Sequence, residues 1–158
     1  MLINNAGIST GTSLMAGDLA KIELEMQTNF YGLLRVTRAF APILASNGGG
    51  AILNVLSVLS WLHLPGNGAY GAAKAAAWAM TDAARQELAP HGIHVAALHV
   101  AYMDTDMAAH IDAAKANPAD VAALALDGIE TDLTEILADD ITRGVRQGLS
   151  APPAVAVA

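Results

Sequence analysis

The sequence has no cysteine, so it has no disulfide framework, no thiolate nucleophile and no cysteine-ligated zinc. Aromatic residues make up only 4% of the chain, too few for a platform on which bases could stack. Basic residues are equally scarce. Eight Lys and Arg stand against fifteen Asp and Glu, for a net charge of −7, the wrong sign for a protein that tracks phosphates or an acidic membrane surface. No apolar run approaches the ~20 residues of a membrane span, and Met1-Leu2-Ile3-Asn4-Asn5 lacks the basic and long apolar regions of a signal peptide. The composition therefore reads as a soluble, cytoplasmic protein with neither nucleic acid nor membrane as partner.

What is present suits one packed domain. Over 158 residues the apolar fraction is 54%, much of it alanine, which favours close helix packing. The acids are unevenly placed: residues 101–158 hold ten of them against three bases, while residues 1–100 hold five of each.

Periodicity gives strands alternating with helices. Met1-Leu2-Ile3 reads as a buried strand entering a turn at Asn4-Asn5-Ala6-Gly7. A long helix is expected from about Asp18, its N-cap, to about Ser46, with Leu19, Ile22, Met26, Phe30 and Leu33 spaced three or four apart. Ala51 to Ser57 is the next strand, Ala69 to Leu88 an alanine-rich helix, and Ile93 to Val100 a third strand. Weaker helical patterns cover about 106–116 and 119–129, followed by a strand at Thr134 to Ala138 and a last helix from Asp139 to about Leu149. Residues 1–149 thus form the body and 150–158 a flexible tail. Parallel strands need crossovers that helices supply, so the fold class is α/β, a doubly wound parallel sheet. Ligands of such sheets bind beyond the C-terminal strand ends, which selects 4–7, 57–68 and 100–105 for chemistry.

Tyr70 and Lys74 lie four apart at a helix start and so share a face. A cation beside a phenol favours the phenolate, and such a pair can exchange a proton with an alcohol or carbonyl. The same spacing is common on solvated helix faces, so other residues must decide. Ser57 ends a strand, where its hydroxyl can reach a substrate oxygen. Asn29 sits mid-helix, a poor place for it by propensity.

Asn4-Asn5-Ala6-Gly7, Asn29, Asn54-Val55-Leu56-Ser57 and Tyr70-Gly71-Ala72-Ala73-Lys74, in this order and at these intervals, resemble the short-chain dehydrogenase/reductase family. Gly48-Gly49-Gly50-Ala51-Ile52-Leu53-Asn54 and Thr105-Asp106-Met107 extend the match, which covers about residues 1–149. The resemblance implies a Rossmann-like fold and hydride transfer between NAD or NADP and a small alcohol or carbonyl substrate. Tyr70 is then the general acid/base, and Ser57 binds the reacting oxygen. Lys74 lowers the Tyr70 pKa and holds the nicotinamide ribose, while Asn29 positions a water leading from Lys74 to solvent. Asn5, Ala6, Gly7, Met103 and Thr105, with Tyr70 and Lys74, are the implied cofactor contacts. The resemblance also implies a homo-oligomer paired through the two long helices, and a lid at about Asp104 through Leu126 in which Met107, Ile111 and Leu124 shape substrate choice.

The chain departs from the family pattern at Val100-Ala101, where Pro-Gly is usual, and no glycine-rich turn precedes Asn4. By the resemblance this is an incomplete sheet lacking its first strands, the C-terminal portion of a longer dehydrogenase, whose alternative role is an inactive fragment or non-catalytic interaction subunit. His63, His91, His94, His99 and His110 are scattered, and no metal site is expected. Trp61, Leu62, His63 and Leu64, after Ser57, suit an apolar substrate as well as they suit plain packing.

Overall fold

The computed structural model describes residues 1–151; the rest of the expected tail lies outside the described residues. Four strands, β1 (Leu2–Asn4), β2 (Gly50–Val55), β3 (Ile93–His99) and β4 (Glu135–Leu137), form one parallel sheet in the order β1-β2-β3-β4. The register pairs Asn4 with Asn54, Asn54 with Ala97, and Ala97 with Glu135. Each crossover is helical: α1 (Leu19–Met26) and α2 (Leu33–Ser46), then α3 (Gly68–Leu88), then α4 (Pro118–Glu130); α5 (Asp140–Gly148) follows β4. Asp18, Asn117 and Asp139 cap α1, α4 and α5 through their carboxylate or amide oxygens.

Alternation along the strands divides the core between two faces. Leu53, Ala96, Leu98 and Val100 pack against Val121 and Ala125 of α4. On the other face Ile52, Ile93 and Val95 meet Ala41 and Leu44 of α2, while Leu56 and Ala97 meet Ala77 of α3. Ala69, Ala73 and Ala77, four apart and almost fully buried, let α3 lie close to the sheet. This two-faced parallel sheet is the expected Rossmann-like α/β arrangement.

A polar chain crosses the sheet where apolar packing would be the default. Asn4 Nδ2 donates to Asn54 Oδ1 (2.8 Å) and to Thr37 Oγ1 (3.1 Å). Asn54 Nδ2 donates to Thr81 Oγ1 (2.9 Å), whose hydroxyl donates to Ala77 O (2.7 Å). Asn54 and Thr81 are fully buried, so these bonds replace lost water.

Three expectations are corrected. The apolar first strand is not buried: Ile3 is 47% exposed, and among the described residues β1 bonds only to β2, at the edge that a sheet without its first strands was expected to leave bare. The long first helix is interrupted by a π-helical stretch, Gln27–Gly32, around Asn29. Residues 106–116 make only a 3₁₀ turn, Asp106–Ala108. There, Asp104 N donates to Ala116 O (3.0 Å) and Ala116 N to Tyr102 O (2.8 Å). Those bonds close the segment into a loop, and Pro118 disfavours helical geometry at Asn117.

Candidate active site

Ser57 lies two residues beyond β2, in extended backbone, and caps a 3₁₀ turn, Val58–Ser60, by accepting from Leu59 N at 3.1 Å. Its position is fixed from the neighbouring strand as well. Val58 N donates to Val100 O (3.0 Å), and His99 Nδ1 lies 3.2 Å from Ser57 O. Because a carbonyl only accepts, that imidazole nitrogen carries the proton.

Tyr70 and Lys74 stand one turn apart in the first two turns of α3, facing the same cleft. Lys74 is buried, and its Nζ donates to Val55 O at 2.9 Å. Burial lowers its pKa to about 8. The Tyr70 phenol is pushed up to about 12, chiefly by burial; the Ser57 hydroxyl pulls it down and the Glu25 charge raises it further. The Lys74 ammonium is committed to Val55 O and sits 5.6 Å from the Tyr70 ring centroid. At neutral pH Tyr70 is therefore a phenol with a proton to give.

Asn29 is buried in the π-helical stretch and clamps the segment after β1 with both ends of its amide. Ile8 N donates to Oδ1 (3.0 Å) and Nδ2 donates to Ile8 O (2.9 Å). One turn earlier the fully buried Glu25 accepts from Thr10 N and from Thr10 Oγ1 (2.6 Å); its second carboxylate oxygen has no partner among the described residues. Gly7 lies under these groups. A Cβ there would stand 3.0 Å from Asn29 Oδ1 and 3.6 Å from Lys74 Nζ, so glycine keeps the floor of the cleft open.

Asn5, Ala6, Gly7, Ser57, Tyr70, Lys74, Met103 and Thr105 line one cavity of about 530 Å³ at the C-terminal ends of the strands. Asn29 is not in its wall and acts on it through Ile8 and Gly7. Of the three residues expected to shape substrate choice, Met107 and Ile111 line the cavity and Leu124 does not. Among the described residues no group of three or more His, Asp or Glu side chains is placed to hold a metal ion.

Sequence reading missed several supports. Asp139 was legible only as a helix start, yet it also accepts from Ala101 N at 2.8 Å, tying α5 to the loop where the sequence departs from Pro-Gly. His99 read as one of several scattered histidines; its place at a strand end beside Ser57 was the available signal. Glu25, four before Asn29 and hence on the same helix face, carried a similar one. Ile141 of α5 also reaches the cavity.

A family model described as short chain dehydrogenase matches residues 1–116. Among solved structures, a short chain dehydrogenase from Burkholderia cenocepacia in complex with NADP is 37% identical, with a TM-score of 0.91 over 95% of this chain and 65% of that one. A short-chain dehydrogenase from Sphingobium yanoikuyae in complex with NADPH is 29% identical, with a TM-score of 0.79 over 99% of this chain and 66% of the other. The ketoacyl reductase HetN of Nostoc is 31% identical over 144 residues, which are 87% of this chain and 50% of that protein. The chain belongs to the short-chain dehydrogenase family. It spans half or less of the length of the curated relatives it matches. No helix among the described residues is long and apolar enough to cross a membrane.

Proposed function

We propose that residues 1–149 carry the chemistry of an NAD(P)-dependent oxidoreductase that interconverts an alcohol and a carbonyl compound. The observation that carries this reading is the convergence of Ser57, Tyr70 and Lys74 on the cavity that Asn5, Ala6, Gly7, Met103 and Thr105 also line. The residues fit a nicotinamide and its ribose: Gly7 leaves the space that a Cβ would fill, and the Lys74 ammonium lies beside it. When bound, the cofactor supplies or accepts the hydride.

In the reducing direction Tyr70 gives its phenolic proton to the carbonyl oxygen, and the Ser57 hydroxyl donates a hydrogen bond to that oxygen as charge develops on it. Oxidation reverses the transfer, and the phenolate then takes the proton. Lys74 holds ribose hydroxyls while anchored to Val55 O, and Asn29 keeps the floor of the site in place and borders a water path from Lys74. The test is turnover of NADH and NADPH against a panel of ketones by the complete gene product that carries these residues, with Tyr70→Phe as control; the 158-residue chain made alone is expected to bind NAD(P)H weakly or not at all. Loss of turnover with cofactor binding retained is expected; near-normal turnover in Tyr70→Phe overturns the assignment.

A second reading, a self-associating interaction surface, is favoured by α2. Val36, Phe40 and Ile43 recur at i, i+4 and i+7 and are each at least 40% exposed. Beside them a groove between α2 and α3 is lined by Leu34, Ala41, Met80 and Leu88. A second copy of the chain suits this face. Light scattering on the protein and on Phe40→Glu decides it: a dimer or larger that the variant dissociates is expected, and a wild-type monomer at micromolar concentration ends the reading.

A further inference from the structure

We infer that the substrate is an uncharged, predominantly apolar ketone or secondary alcohol, and that the site rejects substrates bearing a carboxylate or phosphate. This rests on the oxidoreductase reading and concerns the apolar residues that line the same cavity as Ser57 and Tyr70. Three separate segments supply them: Leu59, Leu62 and Leu64 after Ser57, Met107 and Ile111 after Thr105, and Ile141 from α5. These are not core residues that happen to border a void. Leu62, Leu64, Met107 and Ile141 are 37%, 37%, 46% and 50% exposed, each presenting apolar surface to the same cavity. Side chains so placed gain most from an apolar occupant that removes their surface from water.

Charge selects in the same direction. The cavity's only strongly basic side chain among the described residues is Lys74, already anchored to Val55 O and placed on the cofactor side near Gly7. His110 and Asp106, both exposed, are also among the lining residues. Asp104 and Asp112 flank the same exposed loop. An anionic substrate would meet the Asp106 charge and lose its hydration without gaining a free lysine or arginine in exchange. No arginine lines the cavity, which removes the usual bidentate fork for carboxylate or phosphate.

A matched pair of ligands tests this without turnover: 2-decanone, and 9-oxodecanoate, in which the far methyl is replaced by a carboxylate. Saturation-transfer NMR on the intact chain at low ionic strength gives a dissociation constant for each. The uncharged ketone should bind at least about tenfold more tightly than the anion, and Leu62→Arg should shrink or invert that ratio. Equal or tighter binding of the anion by the wild type overturns the inference, as does failure of 2-decanone to bind at all. Leu62→Arg leaving the ratio unchanged also overturns it. The two readings fail separately. Correct selectivity with no NAD(P)H-dependent turnover removes the oxidoreductase reading alone; Tyr70-dependent turnover with preference for the anion removes only the substrate class.

Discussion

The imidazole of His99 lies flat against the indole of Trp61, ring centroids 3.8 Å apart and planes inclined by 21°. On its edge the same imidazole hydrogen-bonds Ser57 O, while Arg146 sits 5.5 Å from the Trp61 ring centroid. The sandwich excludes water from His99, and that desolvation lowers its pKa from 6.5 to about 4.

Acid stability should follow from this histidine. Between pH 6.5 and 4 the unfolded chain binds a proton at His99 that the folded chain refuses, so stability falls as pH falls through that window and rises with pH across it. The expected loss is on the order of 3 kcal/mol. Urea midpoints at pH 7 and pH 4.5 measure it. His99→Asn, whose amide can still donate to Ser57 O, should flatten this part of the profile while keeping more turnover than His99→Leu.

Lys74 should act oppositely to ordinary surface lysines at alkaline pH. Folded, it loses its proton near pH 8; unfolded, it holds it to 10.5. From pH 8 to 10 the unfolded state therefore binds more protons, and stability should rise, by on the order of 2 kcal/mol. Lys74→Met should abolish that rise. Above pH 10 the raised pKa of Tyr70 works the other way, because only the unfolded phenol ionises. A fall beginning there should vanish in Tyr70→Phe, and thermal melts at half-unit intervals would separate the two.

Burial chiefly keeps Tyr70 in its acid form, and the Glu25 charge adds to it. Glu25→Gln keeps an oxygen for Thr10 but removes the charge that raises the phenol pKa. Ultraviolet titration of the chain's three tyrosines should show the highest-titrating one move down in this variant and disappear in Tyr70→Phe. An unmoved titration would mean that Glu25 serves only the loop. For turnover, Tyr70→Phe should cost about 10²- to 10⁴-fold.

Gly128 marks where α4 meets β4. A Cβ there would stand 2.5 Å and 2.7 Å from Cδ1 and Cγ1 of the buried Ile136. Gly128→Ala should therefore destabilise despite its gain in helix propensity, by about 1 to 3 kcal/mol for overpacking. The melting temperature should drop by about 2 to 4 °C per kcal/mol. Gly128→Ala with Ile136→Val should recover part of the loss.

What could be read in advance was governed by locality. Tyr70, Lys74, Ser57 and Asn29 were visible because their spacing is fixed by one helix, one strand end or one intrusion of polarity into an apolar face. The alternating elements, even short β4, were visible from apolar runs bounded by turns. The loop at 104–116 was not, because its apolar positions also fit a helix and its closure depends on backbone bonds between Tyr102, Asp104 and Ala116. The three-residue apolar run of β1 does not by itself say whether neighbours flank it on both sides; the resemblance, not the run, pointed to a bare edge. His99 and Asp139 support the site through partners 42 and 38 residues away, and no local pattern encodes such a pairing.

The side chains running from Thr37 through Asn4 and Asn54 to Thr81 act on assembly as a proofreading mark. A one-residue slip of β1 along β2 would turn Asn4 to the opposite face and leave the buried Asn54 Oδ1 without the Asn4 Nδ2 that donates to it. Such misaligned chains would pay the full desolvation of a buried amide, whereas a slip between featureless aliphatic strands would go unnoticed. Unlike an all-aliphatic core, which tolerates many near-equivalent alignments, this one rejects the neighbouring registers before Ser57 and the Asn5-to-Gly7 turn can be set at the wrong height relative to each other.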